Sequence, residues 1–114
     1  MIIVEVEQSS FLMTVTVAGH AGYAEAGHDI VCAGVSALFM ALCDAAEADG
    51  AEHEYLDGPE AKRVKMFRTK SVSHYIRMFI MGIRAVMREY PEYVALAGEP
   101  SLVLGGQAPV KTIK

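Results

Sequence analysis

Gly19-His20-Ala21-Gly22-Tyr23-Ala24-Glu25-Ala26-Gly27-His28-Asp29-Ile30-Val31-Cys32-Ala33-Gly34-Val35-Ser36 is the stretch on which the reading of this chain turns. Three of the ten glycines and two of the four histidines fall between Gly19 and His28, and a cysteine then opens an apolar run. Gly19, Gly22 and Gly27 permit positive φ and leave room for another chain to approach. Helical periodicity begins near Asp29, a natural N-cap, which puts Cys32 in the first turn. The stretch therefore reads as a loop that feeds a reactive residue onto a helix N-terminus.

Upstream of the loop, Met1 to Glu7 sets β-branched Ile2, Ile3, Val4 and Val6 among Glu5 and Glu7, the pattern of a strand. Gln8-Ser9-Ser10 is a turn. Phe11 to Ala18 makes a second strand with Met13, Val15 and Val17 on one face. The short connection implies a hairpin, and His20 lies just past its end, where scaffolds present chemical groups on loops.

Downstream, Asp29 to about Ala48 is helical, with Val35, Leu38, Leu42 and Ala45 or Ala46 on one face. Gly34 and the alanines make this helix slim, suited to close packing on a sheet. Glu52 to Leu56 and Lys62 to Arg68 flank the turn Asp57-Gly58-Pro59-Glu60 and form a second hairpin. Ser71 to Tyr90 repeats Val72, Ile76, Phe79, Ile80, Ile83, Met87 and Tyr90 at helical spacing, with Ser71 as cap and Pro91 as stop. A second face of that helix, Met78, Met81 and Ala85 beside Arg77, Arg84 and Arg88, reads either as a subunit contact or as further core. Glu92 to Ala97 has weak strand character. Residues 98–114, with Gly98, Pro100, Gly105, Gly106 and Pro109, read as an irregular or mobile tail behind a single domain of residues 1–97.

With 114 residues, 53% hydrophobic and 21% charged, the chain has enough apolar surface for one core and too little length for two. No apolar run approaches the ~18 residues that span a bilayer, and Met1-Ile2-Ile3-Val4-Glu5 lacks the basic start of a signal peptide. A cytoplasmic protein without a membrane partner is expected. All ten Lys and Arg lie after residue 60, whereas eleven of the fourteen Asp and Glu lie before residue 61. Either the halves interleave in space and neutralise each other, or the glycine-rich loop sits in an acidic surface that attracts a basic partner. The cations of the second hairpin face acids in its other arm, so cross-strand pairing explains them more simply than direct nucleic-acid binding.

Cys43 lies eleven residues beyond Cys32, roughly 16 Å along a helix and out of disulfide reach. It reads as a small buried hydrophobe. Cys32 has two readings: a buried, inert thiol, or a nucleophile. A thiolate attacks where a thiol does not, and both a helix N-terminus and a nearby histidine promote the thiolate. His20 can fold back over Cys32. His28 is a rival base but precedes the cap and points outward. Asp29 could cap the helix, orient a histidine, or do both. Ser36 lies one turn after Cys32 and could hydrogen-bond within a site or simply to a helix carbonyl. In the catalytic reading, backbone N–H groups at the helix start would hold the oxyanion. A metal set of His20, His28, Asp29 and Cys32 matches no zinc spacing, and neither metal nor cofactor is expected.

Gly19-His20-Ala21, followed after a short loop by Gly27-His28-Asp29-Ile30-Val31-Cys32-Ala33-Gly34-Val35-Ser36, resembles the signature of the ribosomal-processing cysteine protease family Prp, also called YsxB-like. The resemblance implies a two-layer α/β (α+β) sandwich, with two main helices on a mostly antiparallel sheet of four to five strands, and a homodimer. It puts the catalytic histidine on His20 and the nucleophile on Cys32, with Asp29 and Ser36 at the accompanying polar positions. The loop carrying Gly19, Gly22 and Gly27 would be mobile and admit substrate. The reaction it implies is removal of the N-terminal extension of large-subunit ribosomal protein twenty-seven during ribosome assembly. The competing expectation is a non-catalytic assembly factor that binds basic ribosomal protein or ribosomal RNA.

Overall fold

The computed structural model describes residues 1–25, 29–51 and 53–98. In chain order it contains β1 (Ile2–Gln8), β2 (Leu12–Ala18), α1 (Ile30–Ala48), β3 (His53–Asp57), β4 (Ala61–Phe67), α2 (Lys70–Glu89) and β5 (Val94–Ala97). The strands form one sheet in the order β3-β4-β2-β1-β5. Every neighbouring pair is antiparallel except β1 and β5, which run parallel.

Strand alternation decides which face of the sheet is covered. Ile2, Val4 and Val6, Met13 and Val15, Val64 and Met66, and Val94 are buried, and the helices supply Val31, Val35, Phe39, Leu42 and Ala46 from α1 and Val72, Ile76, Phe79, Ile80 and Ile83 from α2 to the same core. The result is a two-layer α+β sandwich. Phe39, which the sequence pattern leaves off the buried face of α1, sits near its centre, with its ring 6.5 Å from that of Phe79 and 6.1 Å from that of Tyr55.

Several details correct the sequence reading. The cap of α2 is Thr69, whose Oγ1 accepts from the N–H of Val72 at 3.0 Å; Ser71 lies exposed inside the first turn. Thr69 holds the extended backbone a cap needs, with φ −128° and ψ 168°. Gly34 is not a close-packing site, since a Cβ there would have nothing within 4 Å. The close approach is at Gly82 on α2, where a Cβ would lie 2.6 Å from Cδ2 of Leu38. Met78 and Met81 are 71% and 40% exposed, so the second face of α2 is not extra core.

The helix α1 is also long and apolar enough to cross a membrane, with a mean hydropathy of 1.7, contrary to the expectation that no run reaches that length. Small Gly, Ala and Ser residues disguise the run by eye. Here it is a core helix that buries five side chains and leaves Asp44 and Glu47 exposed.

The interleaving of charge is visible in the register: β4 sets Lys65 opposite Glu54 and Lys62 opposite Asp57. On its other side, Arg63 Nε donates to Thr16 Oγ1 at 3.2 Å. The expected tail falls almost wholly outside the described residues, as do Gly27 and His28.

Candidate active site

The site grows from the end of β2. Gly19 takes φ +85°, its N–H donates to the carbonyl of Glu60 at 3.1 Å, and a Cβ there would lie 2.5 Å from the carbonyl oxygen of Met1. Only glycine fits both the dihedral and the space. This turn delivers His20, exposed, just beyond the end of β2, the central strand. Ala21 then turns inward, 4% exposed, and its N–H donates to Cys32 Sγ at 3.3 Å. Gly22 has φ +71° with open space where a Cβ would stand.

Cys32 is half-buried in the first turn of α1. Asp29 is the N-cap: its Oδ1 accepts from the N–H groups of Val31 at 3.0 Å and Cys32 at 2.9 Å, and its Oδ2 accepts from the N–H of Tyr23 at 3.1 Å. These bonds, that from the Cys32 N–H foremost, hold the Asp29 carboxyl below the usual carboxylate range. The carboxylate thus ties the loop to the helix, and both of its oxygens are occupied by backbone donors. The Ala33 N–H is also taken, by the backbone carbonyl of Asp29 at 3.0 Å. The helix-start amides expected to hold an oxyanion are therefore engaged, and Ala21 supplies an amide aimed at the sulfur.

Two cavities meet at that sulfur. One, about 430 Å³, is lined by His20, Gly22, Ala24, Asp29, Cys32, Ala33 and Ser36. The other, about 220 Å³, shares His20, Cys32 and Ser36. Its floor is apolar, from Ile2, Val17 and Val35, and its wall is the β3–β4 turn with Glu60 and the start of β4 with Lys62. The fold brings His20 and Asp29 of the loop and Cys32 and Ser36 of α1 around one opening. The metal set cannot be completed among the described residues, because His28 lies outside them. Cys43 is different in kind: burial, with Asp44 beside it, pushes its thiol up and keeps it protonated.

Spacing rules alone do not reveal Ala21 or Tyr23. Tyr23 meets Tyr90 edge-on at 5.4 Å and Tyr93 at 5.2 Å between ring centroids. An aromatic residue inside a glycine-rich loop is the sequence signal, but its partners lie almost seventy residues away.

Residues 1–95 match the model of the cysteine protease Prp family. Among solved structures, the ribosomal processing protease Prp from S. aureus with a covalently linked product peptide is 22% identical with a TM-score of 0.71, over 84% of this chain and 97% of that one. The same protease with a substrate peptide gives 21% identity and a TM-score of 0.66 over the same shares. SMU.848 from Streptococcus mutans is 29% identical with a TM-score of 0.62, over 84% of this chain and 91% of that one. No curated protein matches the chain. The family model covers both strands of the first hairpin, the loop, the whole of α1 and all but the end of β5: this chain belongs to the cysteine protease Prp family.

Proposed function

We propose that this cysteine protease removes the N-terminal extension of large-subunit ribosomal protein twenty-seven during ribosome assembly, with Cys32 as nucleophile and His20 as general base and acid. The observation that carries the assignment is the sulfur at the junction of two cavities that share His20, which gives each side of a scissile bond its own space. Peptide-bound relatives of the same fold support a peptide substrate.

His20 takes the Cys32 proton and the thiolate attacks the scissile carbonyl carbon, forming a C–S bond as the carbonyl π pair moves onto oxygen. The Ala21 N–H, which donates to the sulfur before attack, turns to that oxyanion once the C–S bond has formed. The intermediate collapses, the C–N bond breaks, and His20 returns its proton to the leaving amine. Water then attacks the thioester with His20 again as base, releasing the carboxyl product and restoring the thiol. Asp29 fixes the helix start and the loop, and Ser36 offers a hydroxyl within both cavities.

The protease acts in the cytoplasm as a homodimer, without cofactor, membrane or direct nucleic-acid contact. The exposed Met78 and Met81 stripe of α2 is the surface offered to a second copy. Incubation with the extended ribosomal protein, followed by mass spectrometry, should yield one shortened product. Cys32→Ser and His20→Ala should each lower cleavage by at least a hundredfold with the melting temperature nearly unchanged. Cleavage that survives Cys32→Ser would remove the nucleophile.

A further inference from the structure

The segment between His20 and Glu25 is held at several points that converge on the sulfur. The Ala21 methyl is in the core and its N–H is on Cys32 Sγ at 3.3 Å. Two residues on, the Tyr23 N–H is on Asp29 Oδ2 at 3.1 Å, and the same carboxylate accepts from the Cys32 N–H through its other oxygen. Between these anchors Gly22 has φ +71° and no neighbour within 4 Å of a Cβ position, so nothing local fixes the direction of the chain there. What fixes it is the ring of Tyr23, clasped edge-on by Tyr90 at 5.4 Å and Tyr93 at 5.2 Å, at interplanar angles of 79° and 83°. Tyr90 is the C-cap of α2, with its N–H on the Val86 carbonyl at 2.8 Å, and Tyr93 is bound through its carbonyl to the N–H of Ile2 at 2.8 Å. The clasp is therefore mounted on the end of a long helix and beside the first strand, on residues far along the chain from Cys32.

We propose that Tyr23 is a positioning residue: by locking its ring between Tyr90 and Tyr93 it holds the Ala21 N–H on the Cys32 sulfur and the loop on Asp29, keeping the thiol reactive. The contact is between ring edges and faces, whose attraction depends on the aromatic quadrupole, so the ring and not the hydroxyl is required. The N–H donated at 3.3 Å holds the sulfur at the mouth of the two cavities, and releasing the clasp withdraws that donor. The effect on turnover rests on the peptidase reading above; the effect on the thiol does not.

The test is iodoacetamide alkylation of the full chain at pH 7 in a Cys43→Ala background, where Cys32 is the only cysteine. Tyr23→Phe should alkylate within twofold of the parent, and Tyr23→Ala roughly five- to tenfold more slowly with melting reduced only slightly. On the extended ribosomal protein, Tyr23→Ala should lower kcat by a similar factor with KM within twofold, and Tyr23→Phe should restore it. Should Tyr23→Ala fail to fold, Tyr90→Leu, which removes one ring edge and leaves the loop intact, should show an intermediate loss of alkylation. An alkylation rate that is unchanged or faster in a folded Tyr23→Ala or Tyr90→Leu protein overturns the proposal, whether or not the parent cleaves the ribosomal protein. Absence of cleavage by the parent, with the alkylation pattern as expected, would remove only the assigned substrate.

Discussion

At the scale of single residues, two glycines of one loop with nearly the same dihedral should answer differently to one added methyl group. Gly19→Ala meets both φ +85° and a backbone oxygen 2.5 Å from the new Cβ, and should destabilise the fold by about 2 kcal/mol or more. Gly22→Ala meets only φ +71°, and about 1 kcal/mol is expected. Denaturant unfolding of the pair measures the difference. Asp29 makes a prediction in pH. Its carboxyl is held below the ordinary range, so its contribution is complete above the unfolded-state value near ~3.9 and is lost as pH falls through the lower folded-state value. Asp29→Asn keeps an acceptor for the helix N–H groups but cannot titrate. Its melting temperature should lie several degrees lower at neutral pH and lose less than that of the parent on going from pH 5 to pH 2. The Asp29 cap was legible in the sequence because its partners sit two and three residues away. The α2 cap was not, because Ser71 and Thr69 compete on nearly equal propensity and tertiary backbone geometry chooses between them.

Elements are where packing overrides pattern. The apolar spacing of both helices and the alternation of β1, β2 and β4 are local properties, and they were readable. Which small residue lets the helices approach was not, since that depends on how α1 crosses α2: Gly82 meets Leu38 while Gly34 meets nothing. Gly82→Ala gains about 1 kcal/mol of helix propensity but overpacks against Leu38 at a cost of ~1–3 kcal/mol. The substitution should be destabilising or neutral in the parent and stabilising in a Leu38→Ala background. A double-mutant cycle read by urea denaturation checks that reversal of sign, and additivity would show that the two side chains do not meet. A second tie between the helices, the Tyr75 hydroxyl donating to the carboxylate of Asp49 at the end of α1, raises the Tyr75 pKa, chiefly through that hydrogen bond. A raised value means that the contribution is whole below ~10 and disappears as pH climbs through the folded-state value. Tyr75→Phe should melt lower than the parent at pH 8, and the gap should close in strongly alkaline buffer.

At the scale of the molecule, the lopsided charge of the sequence dissolves once β4 is placed between β3 and β2, with its cations opposite Glu54 and Asp57. Strand order brings this about, and strand order depends on pairings between residues far apart, which no local window contains. For the same reason the site was half legible. Cys32, His20, Asp29 and Ser36 lie within seventeen residues of one another, whereas the rings that clasp Tyr23 come from the opposite end of the domain. That distance sets a schedule. During synthesis Cys32 leaves the ribosome before residues 90 and 93, whose rings meet Tyr23, and the first strand waits for β5 to lie beside it in parallel. On the proposed reading, a nascent chain therefore carries Cys32 before it carries the rings that hold the loop over it, and the site is completed only after α2 and β5 have been made.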